Sequence, residues 1–352
     1  MDRLIKWICL SLIHIFKNVL VTGASGRLGN YVAPYLQDQG YNVTCTDIVL
    51  PKPDSENAKR GLPFVKADLL EIGDIMKAIA MSQCDAIVHL GAIPFNPELQ
   101  PPYAEHTGPA GARDGIRTNY SMPEDNAMKI NTMGGFYVLD AARRMGVKNV
   151  IVTTSFFAYG VGFRVSGNPF VPEYLPIDEE HPCYPEDTYS LSKYLTEETM
   201  KAFSRAYGMN TIAMRLLGVY NDKIKNHSFG FKTDAIPEDV AKRGNANFFY
   251  HEYVDSRDIA RFTDLALKKI GQLPNKYEAF NVWSGTRIAD ESAPYYSKLC
   301  PEFADMCKNI KGYDGLFSIE KARKLLGYEP AYDWRTFDED RNYADAISDY
   351  AD

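Results

Sequence analysis

The sequence predicts an α/β fold: a doubly wound parallel sheet with helices on both faces and a smaller, partly interleaved lobe towards the C-terminus. Three observations carry this. From Lys17 onward, short β-branched apolar runs alternate with segments of helical periodicity, the order that builds parallel β–α–β units. The first run, Val19-Leu20-Val21, leads into three glycines, Gly23, Gly26 and Gly29, and then into Leu28, Val32 and Leu36 at helical spacing. The second strand, Asn42 to Asp47, ends in an acid about 20 residues beyond the glycines.

Strand, glycine turn and helix in that order form the setting of a dinucleotide-binding Rossmann loop. Gly23 permits the tight turn, Gly26 lets backbone approach a pyrophosphate, and Gly29 lets the helix pack close to the strand. The first helical turn then aims unpaired N–H groups and a positive dipole end at the phosphates. Asp47 stands where a carboxylate binds the adenosine ribose hydroxyls, and its charge repels a 2′-phosphate, so NAD is expected rather than NADP. Arg27, inside the loop, either weakens that preference or is a solvated surface residue; both readings stay open.

A third strand, Pro63 to Lys66, is followed by Asp68-Leu69 at the carboxyl edge, where an adenine would lie. Ile72 to Ala80 reads as a helix, and Asp85 to Leu90 as a fourth strand running into Gly91-Ala92, again at the ligand-binding edge. Residues 94–126 break the rhythm with five prolines before Gly111; a lid or substrate loop and a plain surface insertion are equal readings. Ala127 to Met145 is a helix and Asn149 to Thr154 a fifth strand. Residues 163–183 are irregular. Glu186-Asp187-Thr188 offers acids and a cap to a helix running to Tyr207, and Asn210 to Leu217 is a sixth strand. Beyond Gly218 the pattern loosens. Val254 to Ile270 reads as a helix, Glu278 to Val282 as a strand, and Glu320 to Gly327 as a short helix with a glycine stop. The expected division is a nucleotide-binding domain over 17–217 and a substrate lobe over 218–352, with 254–283 returning to the first domain.

Composition narrows the partners. At 352 residues the chain suits one large domain or two smaller ones. A net charge of −7 without a basic stripe argues against nucleic acid. The six cysteines (Cys9, Cys45, Cys84, Cys183, Cys300, Cys307) are scattered without metal-ligand spacing, so no metal and a reducing, cytoplasmic compartment are expected. Residues 1–16, MDRLIKWICLSLIHIF, are basic and then apolar, but too short to span a bilayer and without a small-residue cleavage site, so no membrane association is expected. Leu10 to Ile15 is what the transposon end used in sequencing libraries, CTGTCTCTTATACACATC, encodes. The reading placed first is that 1–16 is not native to the protein; resequencing the locus from unamplified DNA tests it.

The chemistry lies in Tyr189-Ser190-Leu191-Ser192-Lys193, in the first turns of the helix after the fifth strand. Residues four apart share a helix face, so the lysine ammonium is expected beside the phenol, lowering its pKa and preparing it to exchange a proton with an alcohol. Ser155, at the end of the fifth strand, can hydrogen-bond the same oxygen.

The pieces TGASGRLG, Thr46-Asp47, Ala67-Asp68-Leu69, HLGA at 89–92, the Asn131 helix, TTSFFAYG at 153–160, YSLSK at 189–193 and YVDSRDIA at 253–260 together resemble the extended short-chain dehydrogenase/reductase superfamily, NAD-dependent epimerase/dehydratase type. The resemblance runs from Lys17 to about Trp334. It implies Tyr189 as catalytic acid/base, Lys193 as its partner and a holder of the nicotinamide ribose, Ser155 as the positioner of the substrate oxygen, and Asn131 as a proton-relay or buried structural residue. It places Ser25 and Leu28 with Gly23, Gly26, Arg27 and Gly29 in the cofactor loop, and Asp47, Asp68, Leu69, Leu90, Gly91 and Ala92 around NAD. A homodimer through the helices at 127–145 and 187–207 is also implied.

Two departures narrow the reaction. Phe156 and Phe157 stand where the family's sugar-nucleotide dehydratases carry an Asp-Glu pair, so that elimination lacks its acid and base. Asn247 to Glu252 contains no arginine where nucleotide-sugar enzymes carry one for the diphosphate; Arg243 and Arg257 match poorly. The leading expectation is NAD-dependent dehydrogenation or epimerisation at a secondary alcohol of a sugar, sugar acid or related polyol without a nucleotide. The alternatives are a nucleotide-sugar epimerase and, from another class, a non-catalytic NAD(P)-sensing protein on the same fold.

Overall fold

The computed structural model describes residues 17–94, 125–220, 229–236 and 251–335. The segment before Lys17, nearly all of the 94–126 insertion, and Arg243 lie outside the described residues.

Seven parallel strands form the main sheet: β1 Asn18–Thr22, β2 Asn42–Asp47, β3 Phe64–Lys66, β4 Ala86–His89, β5 Asn149–Ser155, β6 Asn210–Leu216 and, at the far edge, β9 Tyr277–Val282. Their spatial order is β3-β2-β1-β4-β5-β6-β9. The chain winds outward from β1 to β3, then returns to the other side of β1 with β4, so the order reverses between β1 and β4. Crevices at such a reversal, outside the carboxyl ends of the strands, are where open α/β sheets bind ligands.

Alternation along each strand feeds two cores. Val19 and Val21 enter one face with Val43, Val88, Ile151 and Met214. Leu20 enters the other with Ile87, Val150, Val152 and Ala213. The first face is covered by α1 Gly29–Asp38, with the short α2 Glu56–Lys59 beside it, and by α6 Ser256–Lys269. The second is covered by α3 Ile72–Ser82, α4 Gly134–Arg144 and α5 Thr188–Tyr207.

Two boundaries differ from the sequence reading. The helix expected over 127–145 is π-helical over Met128–Met133 before α4 begins. Val254, expected in a helix, lies in β8 Glu252–Asp255, and α6 starts after Asp255, whose carboxylate caps it by accepting from the Arg257 N–H. Helical periodicity could not separate a buried strand from the helix that follows it without a turn.

β8 is the centre of a second, three-stranded sheet, parallel to β7 Gly218–Tyr220 and antiparallel to β10 Gly285–Thr286. With α7 Ser292–Leu299, α8 Ala304–Cys307 and α9 Glu320–Leu326 it forms the lobe beyond the sheet's edge. Cys45, Cys84, Cys183, Cys300 and Cys307 are all free thiols. Among the described residues no helix is long and apolar enough to cross a membrane, and no cluster of His, Cys, Asp and Glu could hold a metal ion.

Candidate active site

The glycine loop follows β1 at the reversal of strand order. Gly23 has φ +66°, and a Cβ there would stand 2.5 Å from the Gly91 nitrogen at the end of β4. A Cβ on Gly29 would stand 2.5 Å from the Ala24 backbone, so both glycines are required by close approach. Gly26 differs: its Cβ would meet only the Gly23 carbonyl, at 3.1 Å, and would otherwise project into the space in front of the loop. That is the cradle a pyrophosphate needs. Leu28 at the N-cap of α1 offers no side-chain acceptor, and the Asn30 and Tyr31 N–H groups turn back to the Gly26 and Leu28 carbonyls at 3.3 and 3.0 Å.

Asp47 closes the cradle on its ribose side. Its two oxygens accept from the Ser25 N–H at 3.0 Å and the Val49 N–H at 3.1 Å. Each oxygen keeps a lone pair for a ribose hydroxyl. Asp68 accepts from the Leu70 N–H at 2.9 Å, and Leu69 packs against Gly91 and Gly134. Leu90 and Gly91 donate to Thr22 at 3.2 and 3.4 Å. Gly23, Ser25, Gly26, Leu28, Gly29, Asp47, Asp68, Leu69, Leu90, Gly91 and Ala92 therefore line one edge, and Arg27 is exposed on the loop. These residues fit NAD.

One strand further along, Ser155 ends β5, only 5% exposed. Asp187 starts α5 by accepting from the Ser190 N–H at 2.8 Å, which sets Tyr189 in the first turn and Lys193 one turn on. The Ser155 hydroxyl accepts from the Phe157 N–H at 3.2 Å and lies close enough to the Tyr189 phenol to lower its pKa. Lys193 Nζ lies 5.8 Å from the Tyr189 ring centre and donates to the Thr153 carbonyl at 3.1 Å. The structure thus unites the three residues singled out from sequence.

The electrostatics differ from expectation. Although Tyr189 keeps part of its surface exposed, dense packing pushes its pKa up to about 12; the nearby Ser155 hydroxyl opposes this and Asp187 adds to it. Burial lowers Lys193 to about 8. Sequence reasoning put the ammonium's attraction first, whereas desolvation of both charged forms is the larger effect in this dry corner.

Asn131 is a clamp. Its Oδ1 accepts from the Ile93 N–H at 2.7 Å, and its Nδ2 donates to the Ile93 carbonyl at 3.1 Å and to Ser192 Oγ at 2.9 Å. It ties the exit of β4 to the helix carrying Tyr189 and Lys193, and the π-turn places it there.

Sequence reasoning missed two buried groups. His89 is held by Thr22 Oγ1 at 2.6 Å, and burial together with Lys193 keeps it neutral, with a pKa of about 3. Glu197 accepts from Thr154 Oγ1 at 2.9 Å, Tyr277 Oη at 2.8 Å, and Arg215 Nε and Nη2 at 3.0 and 2.7 Å. The signal for Glu197 was present: it continues Tyr189 and Lys193 at the same four-residue spacing, an acid on a face that must be buried.

An NAD cradle at the strand reversal, beside a serine, tyrosine and lysine on the next strand and helix, defines a short-chain dehydrogenase/reductase of the extended type. A sequence profile of the NAD dependent epimerase/dehydratase family matches residues 19–107 and 103–282, and the chain belongs to that family. It is 24% identical over 306 residues to a putative UDP-glucose 4-epimerase of Methanocaldococcus jannaschii, covering 87% of this chain and 86% of that one. A crystal structure of UDP-glucose 4-epimerase from Brucella ovis in complex with NAD superposes with a TM-score of 0.59 at 19% identity, over 90% of this chain and 94% of that one. The Thermus thermophilus UDP-glucose 4-epimerase complex with NAD gives a TM-score of 0.59 at 18% identity, over 94% and 99%. The protein is accordingly an NAD-dependent enzyme of this family.

Proposed function

We propose that this enzyme is a cytoplasmic homodimer that oxidises or epimerises a secondary alcohol of a sugar or sugar acid bearing no nucleotide. The observation that carries the reading is what surrounds Tyr189. The Phe157 ring meets it edge-on at 6.0 Å, so an apolar wall stands where an eliminating enzyme needs an acid and a base. Arg257, one of two candidate diphosphate ligands, grips Asp255 through two hydrogen bonds of 2.7 and 2.6 Å and lies 3.9 Å from the Tyr332 ring centre. Its guanidinium is committed to the Asp255 carboxylate that caps α6.

Bound NAD supplies the hydride acceptor. The chain's own residues handle the proton and the geometry. Tyr189 Oη takes the alcohol proton, Ser155 Oγ holds the same oxygen in line, and Lys193, anchored on the Thr153 carbonyl, keeps a positive charge beside both. Asp47 selects the unphosphorylated ribose.

A panel of neutral sugars, sugar acids and UDP-sugars, each offered with NAD and with NADP, tests this. The expected outcome is turnover of a nucleotide-free substrate with NAD preferred. Accumulating NADH marks a dehydrogenase, and product without NADH an epimerase. Turnover of UDP-sugars alone, or with NADP alone, contradicts the reading. The second reading, a nucleotide-sugar epimerase, is favoured by the names of the relatives, which are UDP-glucose 4-epimerases; epimerised UDP-sugar is its signature.

The dimer rests on exposed apolar side chains along the π-turn, α4 and α5: Met133 42%, Phe136 37%, Met145 39% and Tyr207 51% exposed. Phe136 and Phe203 stack edge-on across the two helices at 5.5 Å, which makes one continuous surface. Light scattering at micromolar concentration is expected to return twice the chain mass; a monomer mass refutes the dimer.

A further inference from the structure

A loop that receives a pyrophosphate must offer N–H groups and keep its carbonyl oxygens away from the anion. Most carbonyls of the glycine loop are taken up locally. Thr22 accepts from the Leu90 N–H at 3.2 Å, and Gly23 from the Gly26 N–H at 3.1 Å. Asn30 Nδ2 donates to the Gly26 carbonyl at 2.9 Å and to the Ser25 carbonyl at 3.4 Å. The Ala24 carbonyl is served from outside the loop. Ala24 is fully buried, and its oxygen lies 2.5 Å from where a Gly29 Cβ would stand, in space that only a glycine leaves open. Asn57 Nδ2 donates to that oxygen at 2.7 Å and to the Gly29 carbonyl at 3.4 Å.

Asn57 is itself firmly placed. It belongs to α2, in the crossover from β2 to β3, and is only 2% exposed. Ser55 caps α2 by accepting from the Ala58 N–H at 3.3 Å, and the Asn57 carbonyl accepts from the Leu62 N–H at 3.1 Å. Arg60 ties this short helix to α1, bonding Glu56 at 2.8 Å, Asp38 at 2.5 Å and the Pro34 carbonyl at 3.3 Å. Asn57 Oδ1 accepts from none of the described residues. The amide therefore acts as a donor, and the opposite orientation would set its oxygen against the Ala24 oxygen.

We propose that Asn57 is a positioning residue for NAD: by holding the Ala24 and Gly29 carbonyls it keeps the glycine loop in the shape that admits the pyrophosphate. The inference is independent of which alcohol the enzyme takes. A buried carbonyl without a donor carries the full desolvation penalty of that group, and the loop relieves it by turning Ala24 towards water. Ser25 and Gly26 move with it. The Ser25 N–H is bonded to Asp47 at 3.0 Å, so the ribose side of the cradle is disturbed together with the phosphate side.

The test measures NAD binding by calorimetry at pH 8 and at pH 5.5 for wild type, Asn57→Leu, Asn57→Asp and, as a comparison, Asp47→Ala, each checked for cooperative unfolding. Wild type should bind alike at both pH values. Asn57→Leu keeps the volume and removes the donor, and its Kd for NAD should rise about 10- to 100-fold at both, the range for leaving a buried acceptor unsatisfied. Asn57→Asp keeps the shape. At pH 8 its carboxylate would face two carbonyl oxygens, and the loss should be at least as large. Burial and those carbonyls raise the pKa of the introduced carboxyl, so at pH 5.5 it is protonated and its O–H replaces the lost donor. NAD affinity should then return to within a few-fold of wild type, whereas Asp47→Ala should stay weak at both pH values. This acid recovery keeps the proposal testable if Asn57→Leu does not fold. Unchanged NAD affinity in the Asn57 variants overturns the proposal, and so does a loss in Asn57→Asp that acid does not reverse. Lower resistance to unfolding with wild-type NAD affinity also overturns it, because Asn57 would then serve the fold alone.

Discussion

Tyr189→Phe is expected to lower turnover by about 10²–10⁴-fold, the loss typical of removing a general acid/base. The substitution deletes one oxygen and keeps the ring against Phe157, while the Gly23–Gly29 loop and Asp47 are untouched. Folding and NAD affinity should therefore survive. The pH profile carries further information. With the phenol held near 12, its proton-accepting form is scarce at neutral pH and grows about tenfold per pH unit below that value. Alcohol oxidation by wild type should rise with pH, and the residual activity of Tyr189→Phe should lose that dependence. Steady-state kinetics from pH 6 to pH 10, with NAD binding measured separately, decides. Near wild-type turnover in the variant would mean that another group moves the proton.

Glu197→Ala should produce the largest stability loss, about 3–5 kcal/mol, because it strands a buried arginine. Glu197 and Arg215 expose only 0% and 4% of their side chains. The same change unpairs Thr154 Oγ1 and Tyr277 Oη. The surface pair Asp305–Lys308, 93% and 73% exposed, is the control: Asp305→Ala should leave stability nearly unchanged. Urea unfolding of the two variants checks the contrast, and similar small losses in both would show that the buried pair does not hold the catalytic helix to the sheet.

What could be read from the sequence was what is local. The strand–glycine–helix unit, the acid closing β2 and the four-residue spacing of Tyr189 and Lys193 are each contained in one short stretch, and each maps onto a real contact. The doubly wound parallel sheet was legible because strands alternating with helices build β–α–β units; the spatial order of its strands was not read from the sequence. What was not legible depends on distant residues. Arg215 meets Glu197 between β6 and α5, Tyr277 arrives from the last strand, and Tyr220 and Arg287 come together from segments 67 residues apart. The π-turn around Asn131 is set by its bonds to Ile93 and Ser192, which no periodicity records. The pKa of Tyr189 was misjudged in direction because spacing reveals a neighbour's charge but not the desolvation that surrounding packing imposes.

The central claim is that Tyr189 and NAD together take a proton and a hydride from one carbinol of the substrate. The most direct measurement uses a turned-over substrate deuterated at that carbon, with the wild-type enzyme and NAD in a single turnover. The account predicts deuterium on the nicotinamide ring of the cofactor, seen as NADD in a dehydrogenase or as a transient in an epimerase. Deuterium lost to solvent with no label ever reaching the cofactor would contradict it, because the carbon would then have given up a proton and not a hydride.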